Sequence, residues 1–130
     1  MKHMSRTFSR AGAVAMGAAA ILLAGAPAAS AATETVCNAA FCNATTGSGL
    51  SVSKVVATKI GENRNVVGFF EVFGPRGLKS TGPTTAANTQ TLALSGSLKK
   101  NELLCLRFFA RNSADGFIEV GTAQCTKAPF

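Results

Sequence analysis

The four cysteines constrain the fold of this chain more than any other feature of its sequence. The 130-residue chain carries them at Cys37, Cys42, Cys105 and Cys125. An even number of cysteines in a short exported chain predicts two disulfide bonds, for which three pairings are possible. A zinc site built from four thiolates needs two closely spaced pairs, and only the first two cysteines lie close together. We therefore expect two disulfides and no metal site.

The C-terminal segment indicates which cysteines are joined. Residues 103–111 and 117–126 are rich in Leu, Phe, Ile and Val, and they flank a short polar turn. Two such runs separated by a turn are typical of a β-hairpin. A three-residue loop at 114–116, with the glycine in the left-handed region, is a common hairpin connection. This loop fixes the pairing of the two strands.

The predicted register accounts for three features of the hairpin. It places Cys105 opposite Cys125, and it places Arg111 opposite Glu119. The other face is mostly apolar and carries Leu104, Leu106, Phe108, Ala110, Ile118, Val120 and Thr122. The disulfides are therefore predicted as Cys105–Cys125 and, by elimination, Cys37–Cys42.

The first 31 residues have the features of a bacterial signal peptide. Three basic residues precede an apolar run at 11–26, and Ala29-Ser30-Ala31 matches the small-residue motif of signal peptidase sites. The run is shorter than the roughly 20 residues that a membrane-spanning helix needs. We predict a signal peptide at 1–31, secretion into the extracellular space, and no membrane attachment after cleavage.

The residues that remain after cleavage lack several catalytic side chains. The only histidine, His3, belongs to the predicted signal peptide, and the chain contains neither Trp nor Tyr. Residues 32–130 therefore have no imidazole for a nucleophile–base pair or a zinc site. They also lack the indole and phenol rings that stack on sugars. We expect no enzymatic activity and no cofactor.

The pattern of residues 32–130 predicts a single all-β domain without a convincing helix. The predicted strands are residues 50–60, 66–73, 90–98, 103–111 and 117–126. A change of phase near Lys54 indicates a β-bulge, residues 32–48 are predicted as an extended lead-in, and residues 74–88 as a long loop. Five to seven short strands favour a small antiparallel β-sandwich, immunoglobulin-like in outline, over a barrel.

A loop supplies the first candidate binding residues. Arg76, Leu78 and Lys79 follow a strand that is predicted to end at Phe73. No apolar periodicity buries these three long side chains, so we expect them to point outward. Loops held by a rigid scaffold are a frequent location of binding residues.

Two aromatic residues of the final hairpin supply the second candidate set. Phe109 and Phe117 fall on the less apolar face of the predicted hairpin, together with Arg107 and Arg111. The other phenylalanines of the predicted strands are expected in the core. Exposed apolar side chains that cluster on one face indicate an interaction surface.

The composition favours a protein that acts through its surface. Loss of three basic residues with the signal peptide lowers the net charge from +7 to +4, without the dense basic clusters of nucleic-acid-binding modules. We expect a monomeric, secreted, non-enzymatic protein that serves as a binder, an inhibitor or an envelope-associated component. Its expected partner is an extracellular protein or a cell-wall component. The alternative is a small extracellular hydrolase or toxin with carboxylate and Lys chemistry, in which acids such as Glu71 and Glu119 meet in a cleft.

Overall fold

Antiparallel strands account for nearly all of the regular structure in the computed structural model, which describes residues 30–130. Residues 1–29, and with them nearly all of the predicted signal peptide, lie outside the described residues. The eight strands are β1 (Ala32–Cys37), β2 (Phe41–Ser48), β3 (Ser51–Lys59), β4 (Gly68–Phe73), β5 (Lys79–Thr81), β6 (Thr89–Ser97), β7 (Leu103–Arg111) and β8 (Phe117–Lys127). Within residues 30–130, no helix is long and apolar enough to cross a membrane.

The strands form two four-stranded sheets. Sheet A has the order β1-β2-β3-β6, and sheet B has the order β5-β4-β7-β8. With β1 set aside, these orders match the A-B-E and C′-C-F-G strands of immunoglobulin-type domains. The predicted all-β sandwich with two disulfides is confirmed, and so is the central position of the strand that became β4.

The core lies between the inner faces of the two sheets. It consists of Ala40, Phe41, Val52, Val55, Ala57, Phe70, Val72, Leu92, Leu94, Leu98, Leu104, Leu106, Phe108, Ala110 and Ala128. Three rings join the layers, since the Phe70 ring lies 5.7 Å from that of Phe41 and 4.8 Å from that of Phe108. Burying one such side chain stabilises the fold by about 1.5–3 kcal/mol. Because both disulfides connect neighbouring strands of one sheet, packing of this core holds the two sheets together.

Polar side chains occupy part of the inner face of sheet A. Asn43 donates a hydrogen bond to the Gln124 carbonyl at 2.8 Å and accepts one from the Thr45 hydroxyl at 2.8 Å. The Thr126 hydroxyl of β8 donates to Thr45 at 2.9 Å. These bonds satisfy the buried polar atoms of β2, as burial requires. Residues 32–48 form the β1–β2 hairpin rather than the predicted extended lead-in. The sequence does not indicate this hairpin, because polar residues occupy inner positions where an alternating pattern would have apolar ones.

Lys59 is a buried cation on the same inner face. Its Nζ donates to the backbone carbonyls of Val66 at 2.6 Å and Thr85 at 3.0 Å, and it lies 5.3 Å from the centre of the Phe108 ring. Burial lowers the pKa of Lys59, because desolvation disfavours the charged form. The two hydrogen bonds to carbonyls replace hydrogen bonds that the ammonium group would form with water.

Two further predictions about connections have different outcomes. The bulge predicted near Lys54 is confirmed, since the pairing of β3 with β6 shifts between Val52 and Lys54. The long loop predicted at 74–88 is wrong in part, because it contains a 3-10 turn at Pro75–Gly77 and the strand β5. Strand β5 has only three residues, too few for a recognisable alternation.

The turn of the β7–β8 hairpin lies one residue earlier than predicted. The Asn112 N–H donates to the Gly116 carbonyl at 2.9 Å, and the Asn112 side-chain oxygen accepts from the N–H groups of Ala114 and Gly116. Asp115, with φ 70°, takes the left-handed position that was assigned to the glycine. An Asx-type turn therefore displaces the predicted loop. As a result, Arg111 lies opposite Phe117 rather than opposite Glu119.

A bulge in β8 restores the predicted register at the cysteines. Leu106 pairs with Gln124, whereas Phe108 pairs with Val120, so β8 carries two additional residues around Gly121. Gly121 has a φ of 73°, which suits a bulge in this position. Val120 packs against the core, but Ile118, predicted on the same apolar face, is 54% exposed because it lies nearer the turn.

Candidate binding surface

The outer face of sheet B carries the candidate binding surface, which we call the aromatic face. Side chains alternate along β4 and β7, so Phe70 and Phe108 point inward while their sequence neighbours point outward. The aromatic face comprises Phe69, Phe73, Phe109 and Phe117 together with Arg107 and Arg111. Strands β4, β7 and β8 thus place four rings and two guanidinium groups on one side of a rigid sheet.

The rings contact one another across three strands. Phe69 and Phe109 are stacked, with their centroids 5.1 Å apart and their planes at 21°. Phe117 meets Phe69 edge to face, with centroids 5.0 Å apart. Phe117 remains 41% exposed, and Phe69 and Phe109 remain half-buried. Phe69 thus contacts both of the other rings.

The two arginines lie over these rings. The Arg107 guanidinium is 4.6 Å from the centre of the Phe73 ring and 5.1 Å from that of Phe109. The Arg111 guanidinium is 5.8 Å from the centre of the Phe117 ring. Cation–π contacts of this kind hold the planar guanidinium groups against the sheet while leaving N–H groups available for acceptors.

Glu71 neutralises part of the cationic charge. Its carboxylate accepts hydrogen bonds from Arg107 Nε at 2.9 Å, from Arg107 Nη2 at 2.5 Å and from the Thr81 hydroxyl at 3.1 Å, and Lys79 Nζ lies 3.2 Å away. Burial raises the pKa of Glu71, but the hydrogen bonds from Arg107, Lys79 and Thr81 outweigh it and hold that pKa below its ordinary value. The hydrolase alternative requires a raised pKa at such an acid. Glu119, its suggested partner, lies on β8, which is separated from β4 by β7.

The structure brings together some of the residues that the sequence singled out. Phe109 and Phe117 share the aromatic face with Arg107 and Arg111, in the grouping that the hairpin pattern indicated. Lys79 lies at the border of this face, beside Glu71. Their role in binding stays a prediction.

The other two predicted binding residues do not point outward freely. Leu78 is half-buried and packs against the core, and its Cδ1 approaches Gly96 so closely that a Cβ there would lie 2.5 Å away. Both Nη atoms of Arg76 donate to Glu102 at 2.8 Å. The expectation of outward-pointing side chains is therefore wrong for Leu78. For Arg76 it overlooked an ion pair that only the fold reveals.

Sequence reasoning missed Phe69 and Phe73, which were expected in the core. Strand β4 is apolar on both faces, and hydrophobicity alone does not show which of its rings point outward. The signal was Glu71, the only charged residue of β4. Since Phe69 and Phe73 share its phase, an outward Glu71 places both rings on the outer face.

Two clefts lie away from the aromatic face. A shallow cleft of about 570 Å³ lies between β1 and the C-terminal residues. A second cleft of about 730 Å³ lies beside Asn38, the Gly61–Asn63 turn and Gly121. Among residues 30–130, no group of three or more His, Cys, Asp or Glu side chains is arranged to hold a metal ion.

Comparisons with known proteins leave the surface to be interpreted from its own geometry. No protein-family model matches the chain, and neither the curated proteins nor the solved structures give a significant match.

Proposed function

We propose that this chain is a small secreted, non-enzymatic binding protein that engages a partner protein through the aromatic face. The observation that carries the proposal is the layer of four phenylalanines and two arginines on the outside of sheet B. The core is complete without these rings, because the inner faces of both sheets are already packed against each other. Their presence on the outer surface therefore calls for a role other than folding.

The residue types favour a protein partner. Aromatic residues and Arg are enriched in protein–protein interfaces and dominate their binding energy. The sequence lacks Trp and Tyr, whose indole and phenol rings stack on sugars. Lys79, Glu71 and Glu119 adjoin the aromatic face and its two arginines. The three cations exceed the two acids, so the charge favours a partner with acidic groups at its rim.

The disulfides support an extracellular location. Two disulfides form and leave no free cysteine, which is compatible with an oxidising compartment. We further propose that the N-terminal segment is a bacterial signal peptide that directs secretion and is cleaved after Ala31. Edman sequencing of the secreted protein should then begin at Ala32.

The test compares the two outer faces of the sandwich. The mature protein is immobilised and exposed to extracellular and cell-wall fractions of the producing organism. A double variant of the aromatic face, Phe117→Ala with Arg111→Ala, removes one apolar group and one cation. The matched control, Val56→Ala with Lys54→Ala, removes the same two kinds of group from the outer face of sheet A. Both variants keep the core intact.

The expected result is capture of a protein that the control variant retains and the aromatic-face variant loses. Affinity should fall at least about tenfold, because truncation of one interface hot spot costs about 2 kcal/mol or more. Protease treatment of the fractions should abolish capture, and digestion of cell-wall polymers should not. Equal loss in both variants, or capture that survives protease but not cell-wall digestion, would contradict the proposal.

A further inference from the structure

Strand β8 is an edge strand of sheet B, and residues 30–130 cover only half of its edge. In the covered half, the Asn38 side chain donates to the Thr122 carbonyl at 2.9 Å and the Asn43 side chain donates to the Gln124 carbonyl at 2.8 Å. Among residues 30–130, no side chain hydrogen-bonds to the backbone of residues 117–120. Gly121, at the bulge, separates the two halves.

The ladder shows which backbone groups of the uncovered half face solvent. The Asn112 N–H bonds to the Gly116 carbonyl, so these two residues form a hydrogen-bonded pair. Pairs alternate along an antiparallel ladder, and the backbone groups of Ile118 therefore point toward β7. Those of Phe117 and Glu119 point away from it. The Arg111 N–H agrees with this alternation, because it bonds to the Val67 carbonyl rather than to Phe117.

The side chains at this edge are also exposed. Ile118 is the most exposed large hydrophobic residue within residues 30–130, at 54%, and its chain neighbour Phe117 is 41% exposed. Arg111 and Glu119 are both exposed, and neither forms an ion pair within the described part of the chain. An open edge with apolar side chains is a template for pairing with another strand.

We propose that two copies of this chain pair through β8, antiparallel, about a two-fold axis at Ile118. In this register Phe117 and Glu119 of each copy exchange backbone hydrogen bonds with Glu119 and Phe117 of the other copy. Ile118 then faces Ile118 of the second copy in a non-hydrogen-bonded pair, where side chains approach most closely. The two sheets B join into one eight-stranded sheet.

Charge complementarity favours a second copy over another occupant of the edge. Phe117 lies opposite Arg111 within the chain, and the proposed register puts Glu119 of the second copy on the other side of the Phe117 ring. Each Arg111 thus gains a carboxylate across one ring, twice in the symmetric pair. An unrelated extended peptide would satisfy the same backbone groups without supplying this carboxylate and a matching isoleucine.

The proposed dimer is a closed assembly, and its interface is small. An isologous contact uses the same patch of both copies and does not propagate into fibres. The exchange involves only the uncovered residues 117–119 of β8. An interface of this size is typical of weak association, so the dimer should appear as the protein concentration rises. The proposed dimer departs from the expectation of a monomer and does not depend on the proposed partner protein.

A cysteine substitution tests the two-fold axis directly. The four native cysteines are all paired, so a new thiol has no free thiol of its own chain to join. Ile118→Cys places two thiols in the kind of cross-strand position that Cys105 and Cys125 occupy. Mild oxidation of the mature variant should give a covalent dimer at least about tenfold faster than oxidation of Leu103→Cys, a control residue of β7 that is 45% exposed. Equal rates for the two variants would overturn the proposal.

Sedimentation equilibrium supplies a second measurement without cysteines. The wild-type mass should rise toward twice the monomer mass with increasing concentration, and the Leu103→Lys control should behave likewise. Ile118→Lys should remain monomeric, because two ammonium groups would meet at the axis. Arg111→Glu should weaken association, and the double variant Arg111→Glu with Glu119→Arg should restore it. A wild-type protein that stays monomeric throughout, or no rescue in the double variant, counts against the proposed register.

Discussion

The outer faces of the two sheets differ sharply although their inner faces share one core. Cross-strand rows on the outside of sheet A contain small and polar residues. Two of these rows are Thr35, Ala44, Val56 and Thr91, and Thr33, Thr46, Lys54 and Ala93. The outside of sheet B carries the aromatic face. Each face also holds one cross-strand disulfide, Cys37–Cys42 in sheet A and Cys105–Cys125 in sheet B.

This difference separates what folding requires from what it leaves open. A sheet in a sandwich must bury one face, and its other face is free to be polar, as sheet A shows. Since the same chain builds an outer face from threonine and alanine, aromatic rings are not needed there for β-structure. The aromatic face is therefore the part of the surface whose composition the fold does not account for.

Neighbouring residues of β7 give the sharpest test of this distinction. Phe108 is fully buried in the core, and Phe109 lies on the aromatic face. Phe108→Ala should lower the free energy of unfolding by about 3–5 kcal/mol. Phe109→Ala should lower it by about 1 kcal/mol, the contribution of one aromatic pair. Urea denaturation of both variants measures the difference, and equal losses would mean that the aromatic face is part of the stabilising core.

The disulfide that closes the longer loop should stabilise the fold more. Cys105–Cys125 spans 20 residues and Cys37–Cys42 spans 5. Replacing both cysteines of the first pair by serine should cost about 3 kcal/mol, and replacing those of the second about 2 kcal/mol, if loop entropy dominates. Thermal unfolding of the two double-serine variants gives the order. A larger loss at Cys37–Cys42 would show that the β1–β2 hairpin depends on its disulfide for more than loop closure.

Much of the fold was predictable because hydrophobic patterns and hairpin geometry act locally. The cysteine pairing followed from strand register near Cys105, and the structure keeps that register. The turn was misplaced because the Asn112 side chain stabilises a loop one residue earlier. The bulge at Gly121 then restores the predicted pairing of the cysteines. The β1–β2 hairpin was missed because the polar residues Asn43 and Thr45 occupy inner positions, where an alternating strand pattern would have apolar residues.

The candidate site was less predictable than the fold. Phe109 and Phe117 were grouped correctly with their arginines, since one hairpin determines their phase. Phe69 was assigned to the core, because its strand is apolar on both faces and its neighbours come from distant parts of the chain. The ion pair of Arg76 joins two segments 26 residues apart, a separation at which sequence patterns give no information on contact.

The two acids beside the aromatic face should contribute unequally to stability. Glu71 is buried among Arg107, Lys79 and Thr81, whereas Glu119 is exposed. Glu71→Gln should lower the free energy of unfolding by about 1.5–3 kcal/mol, as expected for hydrogen bonds to a charged group. Glu119→Gln should change it by less than about 0.5 kcal/mol. Chemical denaturation at neutral pH compares the two variants.

The direction of the Glu71 pKa shift predicts how its contribution to stability changes with pH. The folded-state pKa of Glu71 lies below its ordinary value, so its carboxylate stabilises the fold above the pKa of the unfolded chain. That contribution should vanish as the pH falls through the folded-state pKa. The stability difference between wild type and Glu71→Gln should therefore shrink in acid, and a difference that grows there would contradict the assigned ion pairs.

The exposed pair of Arg76 and Glu102 should show a small effect on unfolding and a clear effect on titration. Hydrogen bonds from the Arg76 guanidinium, with one from the Lys99 N–H, lower the pKa of Glu102 from 4.5 to about 2. Because both side chains reach solvent, Arg76→Met should reduce stability far less than Glu71→Gln does. In the variant, the pKa of Glu102 should rise toward 4.5, which carboxyl NMR titration measures. The stabilisation by this pair is present above the unfolded-state pKa and disappears as the pH falls toward 2. If the Glu102 pKa stayed near 2 in Arg76→Met, the Lys99 N–H rather than Arg76 would hold the carboxylate.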